Sequence, residues 1–270
     1  MLLCILHLYY KEQLPEMLRL LDNITLPFDL CVTICENDGE IIRMIKDRHP
    51  NAKIIKTESR GFDIYPFLVA LDAMDIEKYD FVIKLHTKGD YPYHYYLYPY
   101  CMFGAKWRKA LTSFISSKKH FKRCMAAFAQ DKELGMQSDF RLIINYSHVE
   151  PAQRAYEMLS GLFPKLPEKG PLNFVAGTMF IARTEALMGL AQLDLHKEDF
   201  PDHRKMKGCH CGTMAHSLER FIGFYACAAG FKIADKFHSR AERFFINLRA
   251  WLHYKIIRPV FIRKKALVLR

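Results

Sequence analysis

The residues best equipped for chemistry sit in one short stretch, His86-Thr87-Lys88-Gly89-Asp90. An imidazole, a hydroxyl, an ammonium and a carboxylate follow one another there, and a glycine lets the chain turn. Such groups can meet phosphate oxygens or pass a proton. The residues just before must hold them in place. Phe81, Val82, Ile83 and Leu85 form an apolar run long enough for one buried strand and too short for a helix. Ligands of open α/β sheets bind beyond the carboxyl ends of the strands. This strand is therefore expected to deliver the cluster to the floor of a site.

Other stretches carry candidate groups. Arg60 follows a short strand, and a guanidinium at a strand tip suits two-pronged contact with a phosphate or a carboxylate. Asp63 either caps the helix that begins near Ile64 or reaches a ligand. The tyrosine-rich segment Tyr91–Tyr100 suits stacking on a sugar or a base, and equally packing over the sheet edge. In Leu172–Arg183 a β-forming run is interrupted at Ala176-Gly177-Thr178, and a glycine within a strand marks a close approach of ligand or backbone. His216, Glu219 and Arg220 fall within two turns of a helical pattern, Gly212–Gly230. Cys209-His210-Cys211 has one residue between its cysteines and no second pair at ligand spacing, a poor zinc geometry.

The elements that would position these groups alternate. Leu2–Tyr9 reads as a buried strand, Glu12–Leu21 as a helix, Phe28–Cys35 as a second strand, and Asp38–Arg48 as a helix. Ala52–Lys56 follows as a third strand. With Phe81–Leu85 as the fourth, the pattern is that of βαβ units and a mostly parallel sheet flanked by helices. Helices are expected over Met102–Ser116 and Lys118–Gln130, irregular structure over Asp139–Lys169, a short helix at Ala186–Gln192, a loop at His196–His210, and a closing strand at Phe231–Ile233.

Composition bounds the class. Half of the 270 residues are hydrophobic and about a quarter charged, ordinary for a globular α/β chain. The eight cysteines show no disulfide framework and fit reduced thiols in a cytoplasmic setting. Met1–Tyr10 lacks the basic start and cleavage site of a signal peptide and is taken as a strand. The net charge of +11 is uneven: nine basic residues against Glu242 between Arg240 and Arg270 supply eight of those charges. The division expected is a body over 1–239 and a basic amphipathic helical appendage over 240–270, with Phe244, Leu248 and Trp251 on one face. That composition suits the surface of an anionic membrane. Nucleic acid is disfavoured, since the body has no basic stripe and no binding motif.

Taken together, SRGFDIYPFL, VIKLHTKGD, Trp107-Arg108, AGTMFIAR and CGTMAHSLERFIG resemble the rhamnan synthesis protein F family of bacterial polysaccharide-assembling glycosyltransferases. The pieces fall in family order from Ser59 to Gly223. The resemblance implies a GT-A-like, Rossmann-like fold and transfer of rhamnose or a related sugar from a nucleotide-sugar, dTDP-rhamnose being one candidate. The acceptor would be a growing, lipid-linked glycan at the inner face of the cell membrane. The alternative is a non-catalytic glycan- or nucleotide-binding module of a larger synthase.

Within that resemblance, Glu219 is expected to be the base and His216 to orient it or touch the acceptor. Arg60, Asp63, His86, Thr87, Lys88 and Asp90 would hold the donor diphosphate. Trp107, Arg108, Gly177, Thr178 and Arg220 would line the acceptor side. GT-A enzymes commonly hold a divalent ion with an acidic D-x-D, which here is replaced by His86-Thr87-Lys88. One carboxylate beside an ammonium is a poor site for Mg²⁺ or Mn²⁺. No metal is expected, and fixed cations would neutralise the leaving diphosphate.

Overall fold

The computed structural model describes residues 1–89, 95–97, 100–102, 104–145, 150–163, 166, 172–202, 212–253 and 255. At its centre runs β1 (Leu2–Leu8), buried along its whole length. Parallel neighbours flank it on both sides, β2 (Phe28–Ile34) and β4 (Phe81–His86), which is why its sequence, His7 apart, is apolar throughout rather than alternating. Outside β2 lies β3 (Lys53–Lys56), also parallel. The connections are α1 (Leu14–Leu21), α2 (Gly39–Arg48) and α3 (Ile64–Met74). α1 buries Leu14, Met17, Leu18 and Leu21, a three-and-four spacing along one face. α2 starts where Asp38 accepts hydrogen bonds from the amides of Glu40 and Ile41 at 3.1 and 3.2 Å.

Beyond β4 the sheet continues through β10 (Phe180–Arg183), β7 (Leu134–Gln137) and β11 (Lys232–Ala234). β10 runs antiparallel to both of its neighbours, and β11 is parallel to β7. The molecule is thus a mixed α/β protein with a mostly parallel seven-stranded sheet in the order β11-β7-β10-β4-β1-β2-β3. Chain order reverses between β1 and β4. In open α/β sheets, such a reversal is where ligands bind, in the crevice outside the carboxyl ends of the strands.

Two short ribbons stand apart, β5 (Tyr95–Leu97) with β6 (Tyr100–Met102), and β8 (Ile143–Asn145) with β9 (Asn173–Val175). α4 (Gly104–Leu111) and α5 (Lys118–Gln130) follow the first ribbon; α6 (Glu150–Leu162) packs on α7 (Met214–Ala228), which lies on β9. α7 comes so close to β9 that a Cβ at Gly223 would stand 2.4 Å from the Asn173 carbonyl oxygen. Only glycine fits there.

Several sequence expectations change. Leu172–Arg183 is not one interrupted strand: its halves β9 and β10 belong to different sheets. The expected helix over Met102–Ser116 is α4 followed by a 3-10 turn at Ser113–Ile115, with Met102 in β6. The stretch taken as irregular contains β8 and α6, and β7 lies just before it. Asp90, most of the tyrosine-rich segment and Cys209-His210-Cys211 lie outside the described residues.

Candidate functional site

At the crevice, Thr87 fastens the two strand tips together. Its hydroxyl oxygen accepts hydrogen bonds from the Tyr9 and Tyr10 amides at 3.0 and 2.9 Å, while its own amide donates to the His7 carbonyl at 3.0 Å. The next residue is held just as firmly. The Gln13 side chain donates to the Lys88 carbonyl at 2.7 Å and accepts from the Lys88 amide at 3.0 Å, imitating a strand pair. The backbone is fixed, and the Lys88 ammonium extends over the Trp107 ring, 4.5 Å from its centroid.

Beneath this tip lies a buried ionic cluster. Lys84, 1% exposed, pairs with Asp63 and donates to the Thr178 hydroxyl at 2.9 Å. The Thr178 hydroxyl in turn donates to the same Asp63 oxygen at 2.5 Å. Asp63 therefore leaves the first amides of α3 without a side-chain cap, and the capping alternative is overturned. Burial raises the Asp63 carboxyl, but His86 and Lys84 outweigh it and hold it well below the usual carboxylate range. Burial likewise draws Lys84 below the ordinary amine value, with Asp63 resisting.

His86 faces inward. Its Nδ1 lies 3.0 Å from the Thr87 carbonyl oxygen and its Nε2 lies 2.9 Å from that of Gly177. Carbonyls only accept, so the neutral ring donates to one of the two and only the imidazolium could donate to both; the imidazole, 3% exposed, is turned into the protein rather than towards a diphosphate. Burial lowers its basicity, opposed by Asp63 at 3.8 Å. The expected diphosphate contact through His86 is replaced by a positioning one.

Gly177 is the hub. Its carbonyl meets His86 from β4, and its amide donates to Glu219 Oε1 at 2.6 Å from α7. Its φ of +81° suits glycine, and a Cβ there would fall 2.6 Å from Leu111 Cδ2. Thr178 follows at φ +48°, a conformation that costs a β-branched residue on the order of 1–3 kcal/mol and persists only when over-determined. Its two hydroxyl bonds supply that constraint. Phe62, φ +55°, places its ring edge-on to His216 at 5.5 Å, so the turns after β3 and β9 close around one cluster.

Glu219 pairs through its other oxygen with Arg220, whose guanidinium also donates to the His216 carbonyl at 2.9 Å and stacks on Phe174 at 4.8 Å. These two partners occupy two of roughly four lone-pair directions of the carboxylate. The His216 Nδ1 lies 2.8 Å from the Thr213 hydroxyl, and burial lowers this imidazole too. The charge of Lys88 is felt at Lys84, His86 and His216, which ties the strand tip electrostatically to α7.

The remaining candidates sit further out. Arg60 donates to Glu58 at 2.7 Å and to the Phe200 carbonyl at 3.0 Å, holding the segment around Phe200 over the turn. Arg108 lies 3.6 Å from Glu16 of α1. Sequence reasoning missed Lys84, Gln13 and a cleft of about 220 Å³ beyond β1 and β2, lined by Leu8, Tyr9, Lys11, Cys35, Glu36 and Ser59. Lys11, on its lining, lies 3.3 Å from Glu36 and 3.1 Å from Asp38.

The cluster does not suit a divalent ion. Its central carboxylate, Asp63, is already taken by an ammonium and a hydroxyl. No group of three metal-ligating side chains occurs among the described residues.

The family model described as rhamnan synthesis protein F matches residues 2–231. The chain belongs to the rhamnan synthesis protein F family. Among curated relatives, the uncharacterized protein WxcX of Xanthomonas campestris pv. campestris, in strain B100 and again in strain ATCC 33913, is 27% identical over 232 residues. The match covers 85% of this chain and 32% of WxcX, so the chain spans about a third of the length of these relatives. Among solved structures, S. aureus TarS 1–349 aligns at 14% identity and TM-score 0.42, covering 83% of this chain and 55% of TarS. Its complex with UDP aligns at 16% identity and the same TM-score, a likeness too loose to carry an argument.

Proposed function

We propose that this rhamnan synthesis protein F chain is a polysaccharide glycosyltransferase that uses a nucleotide-sugar. The observation that carries the reading is Gly177, whose carbonyl and amide are claimed by His86 of β4 and Glu219 of α7. A carboxylate is thereby fixed beside the tip of the strand that borders the crevice. The nucleoside occupies the cleft beyond β1 and β2, and the diphosphate runs along the strand tips towards Lys88. There a cation held by a fixed backbone meets the charge that grows on the leaving group. An acceptor hydroxyl oxygen attacks the anomeric carbon and passes its proton to Glu219. The bond from that carbon to the phosphate oxygen breaks, and the nucleoside diphosphate leaves with the electron pair.

In this reading no divalent ion takes part: Lys84 already pairs with Asp63, and Lys88 takes over the neutralisation of the leaving group. The sugar is rhamnose or a related hexose, and the acceptor is a lipid-linked glycan. The family membership supports the glycan chemistry. The position of the cleft beyond the carboxyl ends of the parallel strands β1 and β2 supports the nucleotide.

Thermal shift against a panel of nucleoside diphosphates and their sugars, with and without EDTA, tests the proposal. A stabilising ligand whose effect survives EDTA, together with slow hydrolysis of its sugar donor, is the expected result. Stabilisation without turnover would favour a binding module, and loss of the effect with EDTA would overturn the metal-free arrangement.

A further inference from the structure

We propose that the last described helix, α8 (Arg240–Leu252), docks this protein on an anionic lipid bilayer. The link to a lipid-linked acceptor rests on the glycosyl-transfer reading; the docking itself does not. Eight large hydrophobic side chains are exposed among the described residues, and five of them, Phe244, Phe245, Leu248, Trp251 and Leu252, stand on this helix. At helical spacing they form one continuous face. The partly buried residues Glu242, Arg243, Ile246, Ala250 and His253 form the opposite stripe, turned to the body. Among the described residues, the apolar face therefore points away from the body.

The first turn is locked. Ser239 and Glu242 make a reciprocal capping box at 3.3 and 2.6 Å. The Glu242 carboxylate also takes Arg123 of α5 at 2.8 Å and lies 3.3 Å from His120. Arg243 pairs with Asp235 at 3.3 Å and lies over Phe140 at 5.4 Å. This anchor holds the helix at a set attitude, which a surface meant to orient the molecule requires. β11, just before it, runs parallel to β7 and so in the same sense as β4. Its carboxyl end, and with it the start of α8, lies at the edge of the sheet that carries the His86–Gly177 cluster. Three strand spacings, about 14 Å, separate β11 from β4.

The occupant follows from charge. Exposed Arg240 and Arg249 border the apolar face on its two sides, and the sequence after it adds Lys255, Arg258, Arg263, Lys264, Lys265 and Arg270 without an acid. An aromatic face rimmed by cations sits at the boundary between headgroups and acyl chains of an anionic leaflet. A second copy of this chain would set like charges against one another.

The test is co-flotation of the 270-residue chain with vesicles of phosphatidylcholine, and of phosphatidylcholine mixed with phosphatidylglycerol. The expected result is salt-sensitive binding to the mixed vesicles, with fluorescence quenching by brominated lipid that is lost in Trp251→Phe. The pair Phe244→Ser with Trp251→Ser should reduce partitioning at least about tenfold. Arg240→Glu with Arg249→Glu should weaken it without touching the apolar face. Equal binding to both vesicle types overturns the anionic requirement. Failure to float with either overturns the proposal, as does a dimer that the serine pair disperses. The thermal shift with nucleoside diphosphate should be unchanged in all these variants; its absence in the parent chain would sink the site reading while leaving the docking result to stand.

Discussion

Replacing Lys84 with Met tests the buried cluster most sharply. Methionine keeps the length and removes the charge, leaving the Asp63 carboxylate with the Thr178 hydroxyl and an imidazole 3.8 Å away. Removing one partner of a buried ion pair costs about 3–5 kcal/mol, because the other charge remains uncompensated. For a chain of this size that corresponds to a fall in Tm of roughly 6–20 °C. Asp63→Leu on top of Lys84→Met should restore most of the loss, since an apolar pair of similar volume is often neutral. The pH dependence carries a sign. Asp63 is depressed in the folded state, so its contribution is present above the unfolded carboxyl value and is lost as the pH falls. The gap between the parent and Lys84→Met should therefore narrow below about pH 4. Calorimetry of the four proteins of the cycle supplies the assay. A Lys84→Met protein melting within a degree of the parent, or additive single variants, would refute the coupling.

Gly177→Ala should lower Tm and transfer together, since the methyl meets Leu111 and the φ of +81° is strained for any side chain. Adding Leu111→Ala should relieve the contact and not the backbone strain, so melting temperature recovers in part and activity does not. Lys88→Met removes a partly exposed ammonium from the Trp107 face, with its backbone still held by Gln13. It should leave Tm nearly unchanged while lowering kcat/KM for the donor by about 10²-fold or more, read by steady-state kinetics.

The strands before His86 were legible because continuous apolar runs and three-and-four spacing report burial directly. Leu134–Gln137 was not, since Leu-Gly-Met-Gln has no β-branched residue; its place between β10 and β11 makes it a strand. The reversed direction of β10 was equally hidden, as a strand's sequence does not record the sense of its neighbours. Lys84 does carry a signal in the sequence. A lysine inside an otherwise apolar buried strand demands a counter-ion, but Asp63, Asp72, Asp75, Glu77 and Asp80 all precede it and only the fold selects Asp63. His86 looked like a ligand group because its type is reactive, yet its two carbonyl partners are contributed by the chain's own turns. Gln13 gave no sign at all, for its bonds to Lys88 arise only from the crossing of β1 and β4 tips.

The central claim is that Glu219, fixed by Gly177 and Arg220, takes the proton of an acceptor hydroxyl. Transfer and donor binding measured side by side for Glu219→Gln test it most directly. The amide can still accept the Gly177 N–H but cannot serve as base. The account predicts transfer reduced by at least about 10³-fold with the donor dissociation constant unchanged within a few-fold. Retained transfer in a folded Glu219→Gln protein would contradict it.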